Sequence, residues 1–126
     1  MATKILVIDD SMMVRQQVKR ALGPDFEIVE AHDGVDALEK ANENASIGLV
    51  ICDVNMPRMN GLDFLAAFRA DKRFLTVPVV MLTTEAQSDL VARSKALGAK
   101  GWIIKPFKPD LLATAARRLT APSVAA

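Results

Sequence analysis

The sequence predicts an α/β fold, a doubly wound sheet of five parallel strands with helices on both faces. Three observations lead there. Five short apolar runs alternate with segments of helical period along the 126 residues. The runs are nearly continuous rather than alternating in polarity, the mark of strands covered on both faces. Polar or charged groups close four of them: Asp9-Asp10, Asp53, Thr83 and Lys105.

The first strand is expected over Lys4–Ile8, and Ser11 is placed to cap the helix behind it. That helix carries the stripe Val14, Val18, Ala21 and Leu22. The second run, Glu27–Ala31, leads through Asp33-Gly34 into a helix with Val35, Leu38 and Ala41 on one side. Leu49–Cys52 forms the third run, and Asn60-Gly61 opens a helix with Leu62, Leu65 and Phe68 inward. Val79–Thr83 is followed by a weaker helical pattern of Leu90, Val91, Ser94 and Leu97, with Gly98 suited to its end. After the fifth run, Gly101–Ile104, Pro109 and Asp110 suit a first helical turn, and Leu112, Ala115, Ala116 and Leu119 share a face. Residues 1–120 therefore read as one domain, and residues 121–126, with Pro122 and little to bury, as a short flexible tail.

Composition removes several classes of function. Half of the residues are hydrophobic and a quarter charged, enough to build a core without disulfides or a structural metal. A net charge of +1 gives no bulk attraction to nucleic acid or anionic lipid. Cys52 is the single cysteine, and no Cys/His cluster has zinc-ligand spacing, so a reducing cytoplasm is expected. The N-terminus is too short and too acidic for a signal peptide, and no apolar stretch reaches the about 18 residues that a bilayer span needs.

Open α/β sheets bind ligands at the carboxyl ends of their strands. Three carboxylates, a hydroxyl and an ammonium collected at that rim suit a divalent cation and a phosphoryl group, and so a phosphorylation switch. Each signal alone is weak: a strand-end threonine is a common β residue, and Lys105-Pro106 fits an ordinary loop. Together, each closing its own strand in this chain order, they are specific.

On these residues the chain resembles the CheY-like receiver domains of response regulators over essentially its whole length. The resemblance implies a flavodoxin-like sheet of order 2-1-3-4-5. Asp9, Asp10 and Asp53 then leave neighbouring strands about 5 Å apart. Carboxylates so close raise one another's pKa, and Mg2+ would relieve them. By resemblance Asp10 and Asp53 bind the ion directly, Asp9 acts through water, and the Asn55 carbonyl completes the set. Asp53 accepts the phosphoryl group, while Lys105 and Thr83 meet its oxygens. The Lys105-Pro106 bond matches a pair that is usually cis in the family.

The same resemblance places Trp102 at the family's aromatic switch position, usually Tyr or Phe, and Asn55 and Glu85 where the phosphoryl lifetime is tuned. Val91, Lys95, Trp102 and Lys108 fall on the surface of the fourth helix, fifth strand and fifth helix through which receivers meet partners. The expected protein is a stand-alone, monomeric response regulator of a two-component system. A sensor histidine kinase phosphorylates it, and a downstream motility or phosphotransfer protein reads it, with chemotaxis the favoured setting. It would catalyse its own aspartyl phosphorylation and dephosphorylation without being a conventional enzyme. Phosphorelay shuttle and phosphate sink are the alternative roles.

Two other classes fit less well. A haloacid-dehalogenase-like phosphatase uses Asp-x-Asp, and here Asn55 fills the second place, where an amide cannot shuttle a proton. A binding module that has abandoned phosphate would not need the intact set of Asp9, Asp10, Asp53, Thr83 and Lys105. His32 reads as a surface histidine, Cys52 as core pointing away from Asp53, and Arg117-Arg118 as a solvated helix end. Met12 and Met13 either open the first helix or cover the acidic rim.

Overall fold

A computed structural model describes residues 3–44, 46–84 and 88–121. Five parallel strands, β1 (Thr3–Ile8), β2 (Phe26–Ala31), β3 (Ile47–Asp53), β4 (Val79–Thr83) and β5 (Gly101–Ile104), form one sheet of order β2-β1-β3-β4-β5. Between them run α1 (Met12–Leu22), α2 (Gly34–Glu43), α3 (Gly61–Ala70), α4 (Ser88–Ala96) and finally α5 (Pro109–Thr120). The fold class and the alternation of elements are those the sequence predicts, and the strand order is the one the family resemblance implies. The tail beyond residue 121 lies outside the described residues.

Local chemistry sets the helix starts. Ser11, Asp33 and Asn60 each cap a helix, their side-chain oxygens accepting from the backbone N–H of Val14, Asp36 and Asp63. Two glycines answer a need at helix ends: Gly23 follows α1 at φ 67° and Gly98 follows α4 at φ 93°, values that disfavour any side chain with a Cβ.

Strand alternation divides the interior into two cores. Leu6, Ile8, Val50, Cys52, Val79 and Met81 face α2 and α3, where Phe64, Phe68 and Phe74 stack with ring centroids 5.2 and 4.6 Å apart. Ile5, Val7, Leu49, Ile51, Val80, Leu82 and Ile103 face the other way, onto Val18 and Leu22 of α1 and Leu112 and Ala116 of α5. Continuous apolar runs are what this requires, because every residue of such a strand meets one core or the other.

Three details differ from expectation. β2 starts at Phe26 and β3 at Ile47, because pairing with β1 continues past the apolar run. On α2 the fully buried positions are Gly34, Ala37 and Ala41, with Val35 and Leu38 only partly covered. Small residues let α2 lie close, and a Cβ at Gly34 would collide with Met59. Phe64 and Ala113 are buried beyond the expected stripes on α3 and α5.

Candidate functional site

The predicted rim assembles at the carboxyl ends of β1, β3, β4 and β5. Strand geometry persists just past the end of β1, where the Asp9 N–H donates to the Ala31 carbonyl at 3.1 Å. It does so again past β5, where the Lys105 N–H donates to the Thr83 carbonyl at 2.8 Å. Asp9 therefore continues the series Ile5-Val7, Asp53 the series Leu49-Ile51, and Lys105 follows Ile103, so all three emerge on the α1–α5 side. Thr83 follows Val79 and Met81 on the opposite side.

Asp9 is fully buried, and its carboxylate accepts from the Ser11 N–H at 2.9 Å and from Lys105 Nζ at 2.8 Å. The same ammonium stands 3.2 Å from Asp53 Oδ1. Asp53 is buried, whereas Asp10 is exposed to solvent. One oxygen from each of Asp9, Asp10 and Asp53 lies within 4.8 Å of the others, a hard-oxygen cluster of the kind Mg2+ takes. Behind it, Arg15 donates to the Asp9 carbonyl at 2.6 Å and pairs with Glu30 at 3.0 Å.

The electrostatics show an excess of negative charge. Burial raises the Asp53 pKa, the Asp9 charge raises it further, and Lys105 only partly offsets them. Lys105 is held above its ordinary value: burial works against the ammonium, but the hydrogen bond and charge of Asp9, aided by Asp53, outweigh it. One ammonium thus serves two buried carboxylates, and an added cation would relieve the remainder.

The other sequence-derived positions separate into groups. Thr83 is buried at the end of β4, one step past Leu82, which is the register partner of Asp53. Asn55 is exposed in the loop after β3, and Glu85 lies outside the described residues. The Lys105-Pro106 peptide is cis. Cys52 is buried in the α2–α3 core, where burial pushes its thiol well above the ordinary range. Exposed His32 lies 3.3 Å from Asp33 and 3.5 Å from Asp36, away from the acidic cluster. Met12 and Met13 are exposed at the start of α1.

Trp102 is partly buried against the α2–α3 core, and its indole N–H donates to Ser94 Oγ at 2.6 Å. Ser94 in turn donates to the Val91 carbonyl at 3.0 Å, so β5 is tied to α4. Lys95 and Lys108 are exposed. Sequence reasoning did not single out Ile104 and Leu111, exposed apolar residues of β5 and α5 on this same side of the molecule. Nor did it find the ion pair of Arg58 with Asp33. Asp33 carries a helix-cap signal, but nothing local to Arg58 announces a partner 25 residues away.

With this geometry in place, the comparisons are decisive. The family model for the response regulator receiver domain matches residues 5–117. The chain belongs to that family. This receiver is 42% identical over 111 residues to chemotaxis protein CheY1 of Helicobacter pylori, covering 86% of its own length and 90% of that protein's. It is 38% identical over 112 residues to the CheY homolog of Campylobacter jejuni, covering 86% and 85%. Among solved structures, Vibrio cholerae chemotaxis protein CheY4 superposes on the receiver with a TM-score of 0.89. The two are 38% identical, with 94% of this chain and 99% of that one aligned. No helix among the described residues is long and apolar enough to cross a membrane.

Proposed function

We propose that this receiver is a response regulator in which Asp53 takes a phosphoryl group from a phosphohistidine of a sensor histidine kinase. The observation that carries this reading is the Asp9–Asp10–Asp53 cluster with Lys105 bridging Asp9 and Asp53. Asp9, Asp10, Asp53 and the Asn55 carbonyl would hold Mg2+. When bound there, Mg2+ supplies positive charge that neutralises the phosphoryl oxygens.

The remaining steps belong to the chain. An Asp53 carboxylate oxygen attacks phosphorus, the P–N bond breaks, and the imidazole leaves with its electron pair and picks up a proton. Lys105 turns from carboxylate to phosphoryl oxygen, and the Thr83 hydroxyl donates to another. Water later attacks the same phosphorus, releasing inorganic phosphate and restoring the Asp53 carboxylate. Asn55 and Glu85 would set how fast that happens. Repositioning of Thr83 and Trp102 would then alter the surface of α4, β5 and α5, including Val91, Lys95 and Lys108, and with it the affinity for a partner. The names of the curated relatives, chemotaxis proteins, favour chemotaxis as the setting; a cytoplasmic location, a motility component as partner and a monomeric receiver complete the proposal.

Incubation with acetyl phosphate and MgCl2, followed by intact-protein mass spectrometry, tests the chemistry. The expected result is gain of one phosphoryl group by the wild type and none by Asp53→Ala; equal gain by both would refute the assignment. Capture from source-cell lysate with and without fluoroberyllate tests the output. A motility protein held only in the activated state supports the reading. Capture of a phosphotransfer protein alone, whatever the state, would replace it with a relay or sink.

A further inference from the structure

The loop from Val54 to Asn60 leaves the site at Asp53 and returns to the sheet at α3. Its ends are hooked together, the Gly61 N–H donating to the Val54 carbonyl at 2.8 Å. Gly61 lies so close to the Asp53 carbonyl that no Cβ fits there. Within the loop, Asn55 and Met56 make no backbone hydrogen bond among the described residues. Met56 packs against the α2–α3 core, so the placement of Asn55 depends on that contact and on what anchors the chain on either side.

One anchor is Arg58. Its φ of 61° lies in the left-handed region, which a residue with a Cβ occupies only when its surroundings enforce it. The enforcing contact is a two-point fork: Arg58 Nε donates to Asp33 Oδ2 at 2.7 Å and Nη2 donates to Oδ1 at 3.1 Å. Asp33 is a rigid post, with a side chain only 2% exposed and an oxygen that caps α2 through the Asp36 N–H at 2.8 Å. One residue further on, the Met59 carbonyl accepts from the Gly34 N–H at 3.0 Å. The fork and this backbone bond strap the β3–α3 loop onto the start of α2.

We propose that Arg58 is a positioning residue for the Asp53 site: through its fork onto Asp33 it holds the loop that carries Asn55 in the conformation that takes up the divalent cation. The inference rests on the Mg2+-dependent reading above and adds to it a residue that touches neither the ion nor the phosphoryl group. It also has a sign that simple charge effects do not share. Removing the Arg58 cation would by electrostatics alone strengthen binding of Mg2+ nearby. Loss of positioning weakens it.

The test is calorimetric titration of MgCl2 into the full-length wild type and its variants, beside thermal melts of each without metal. Arg58→Ala is expected to raise the Mg2+ dissociation constant about tenfold, the lower end of the range for residues that orient metal ligands from behind. Arg58→Lys keeps the charge without the fork and falls between the two. Asp33→Asn retains the helix cap and reproduces the loss, and the double variant is no worse than either single one because the pair acts as a unit. Affinity unchanged or tightened in Arg58→Ala, even with a lower melting temperature, would overturn the proposal and leave the fork a purely structural tie. A wild type that ignores Mg2+, or an Asp53→Ala variant that binds it equally well, would instead overturn the reading of the acidic site itself and take the proposal with it.

Discussion

On the α1–α5 side of the sheet the apolar series of β1, β3 and β5 run out at Asp9, Asp53 and Lys105. On the opposite side β4 ends in Thr83, and β5 offers Trp102, bonded to Ser94 of α4. The first group is charged and tightly coupled, one partly buried ammonium standing between two buried carboxylates. The second is neutral, and Trp102 is held to the surface helix α4 by a hydrogen bond worth about 1 kcal/mol. Chemistry on a carboxylate needs groups fixed before the reaction, while a readout needs an element that small differences in free energy can move. On the function proposed above, one sheet supplies both by ending its two faces differently.

The contrast is broken most severely at Lys105. Lys105→Met leaves Asp9 and Asp53 without their shared cation and is expected to destabilise the metal-free protein by about 2 kcal/mol. That is less than the roughly 3–5 kcal/mol of a fully buried pair, because Lys105 keeps partial access to solvent. Urea titration at neutral pH measures it, and an unchanged midpoint would mean that the pair holds nothing in place.

Asp53→Asn should act in the opposite direction, raising the metal-free melting temperature at pH 7 by a few degrees. The sign follows from the raised Asp53 pKa, caused first by burial and then by Asp9. A carboxyl with a higher pKa folded than unfolded costs stability in full above its folded pKa and nothing below the unfolded value of about 3.9. The advantage of the Asp53→Asn variant over the wild type should therefore shrink as pH falls through that window. A gain independent of pH would point to packing rather than charge.

The smallest effect belongs to the other face. Ser94→Ala leaves the indole N–H of Trp102 without its acceptor and should cost about 1 kcal/mol. Trp102 is the single tryptophan, so its emission maximum reports the change directly. An emission spectrum identical to that of the wild type would show that the indole is not held by Ser94 in solution.

The fold was legible because its strands are buried on both sides. A run such as Val79–Thr83 needs no partner pattern to be recognised, and its end marks where a polar group must emerge. The acidic rim was legible for the same reason, since Asp9, Asp53 and Lys105 stand where their runs stop. What sequence could not supply was reach. That one lysine bridges Asp9 and Asp53, that Trp102 meets Ser94, and that Arg58 finds Asp33 are facts about long side chains crossing between elements. The φ of Arg58 is equally silent, because left-handed backbone is announced locally by glycine or asparagine and here an arginine occupies it.

Lys105 and Asp9 stand 96 residues apart in the chain, and the ammonium reaches from the end of the last strand to the end of the first. A polypeptide emerging from the ribosome completes β1, β2, β3 and β4 while the rim still lacks its cation. Every intermediate of synthesis thus carries Asp53 in a half-made setting, and only closure of the final strand completes it. On the function proposed above, competence to be phosphorylated waits on that last strand.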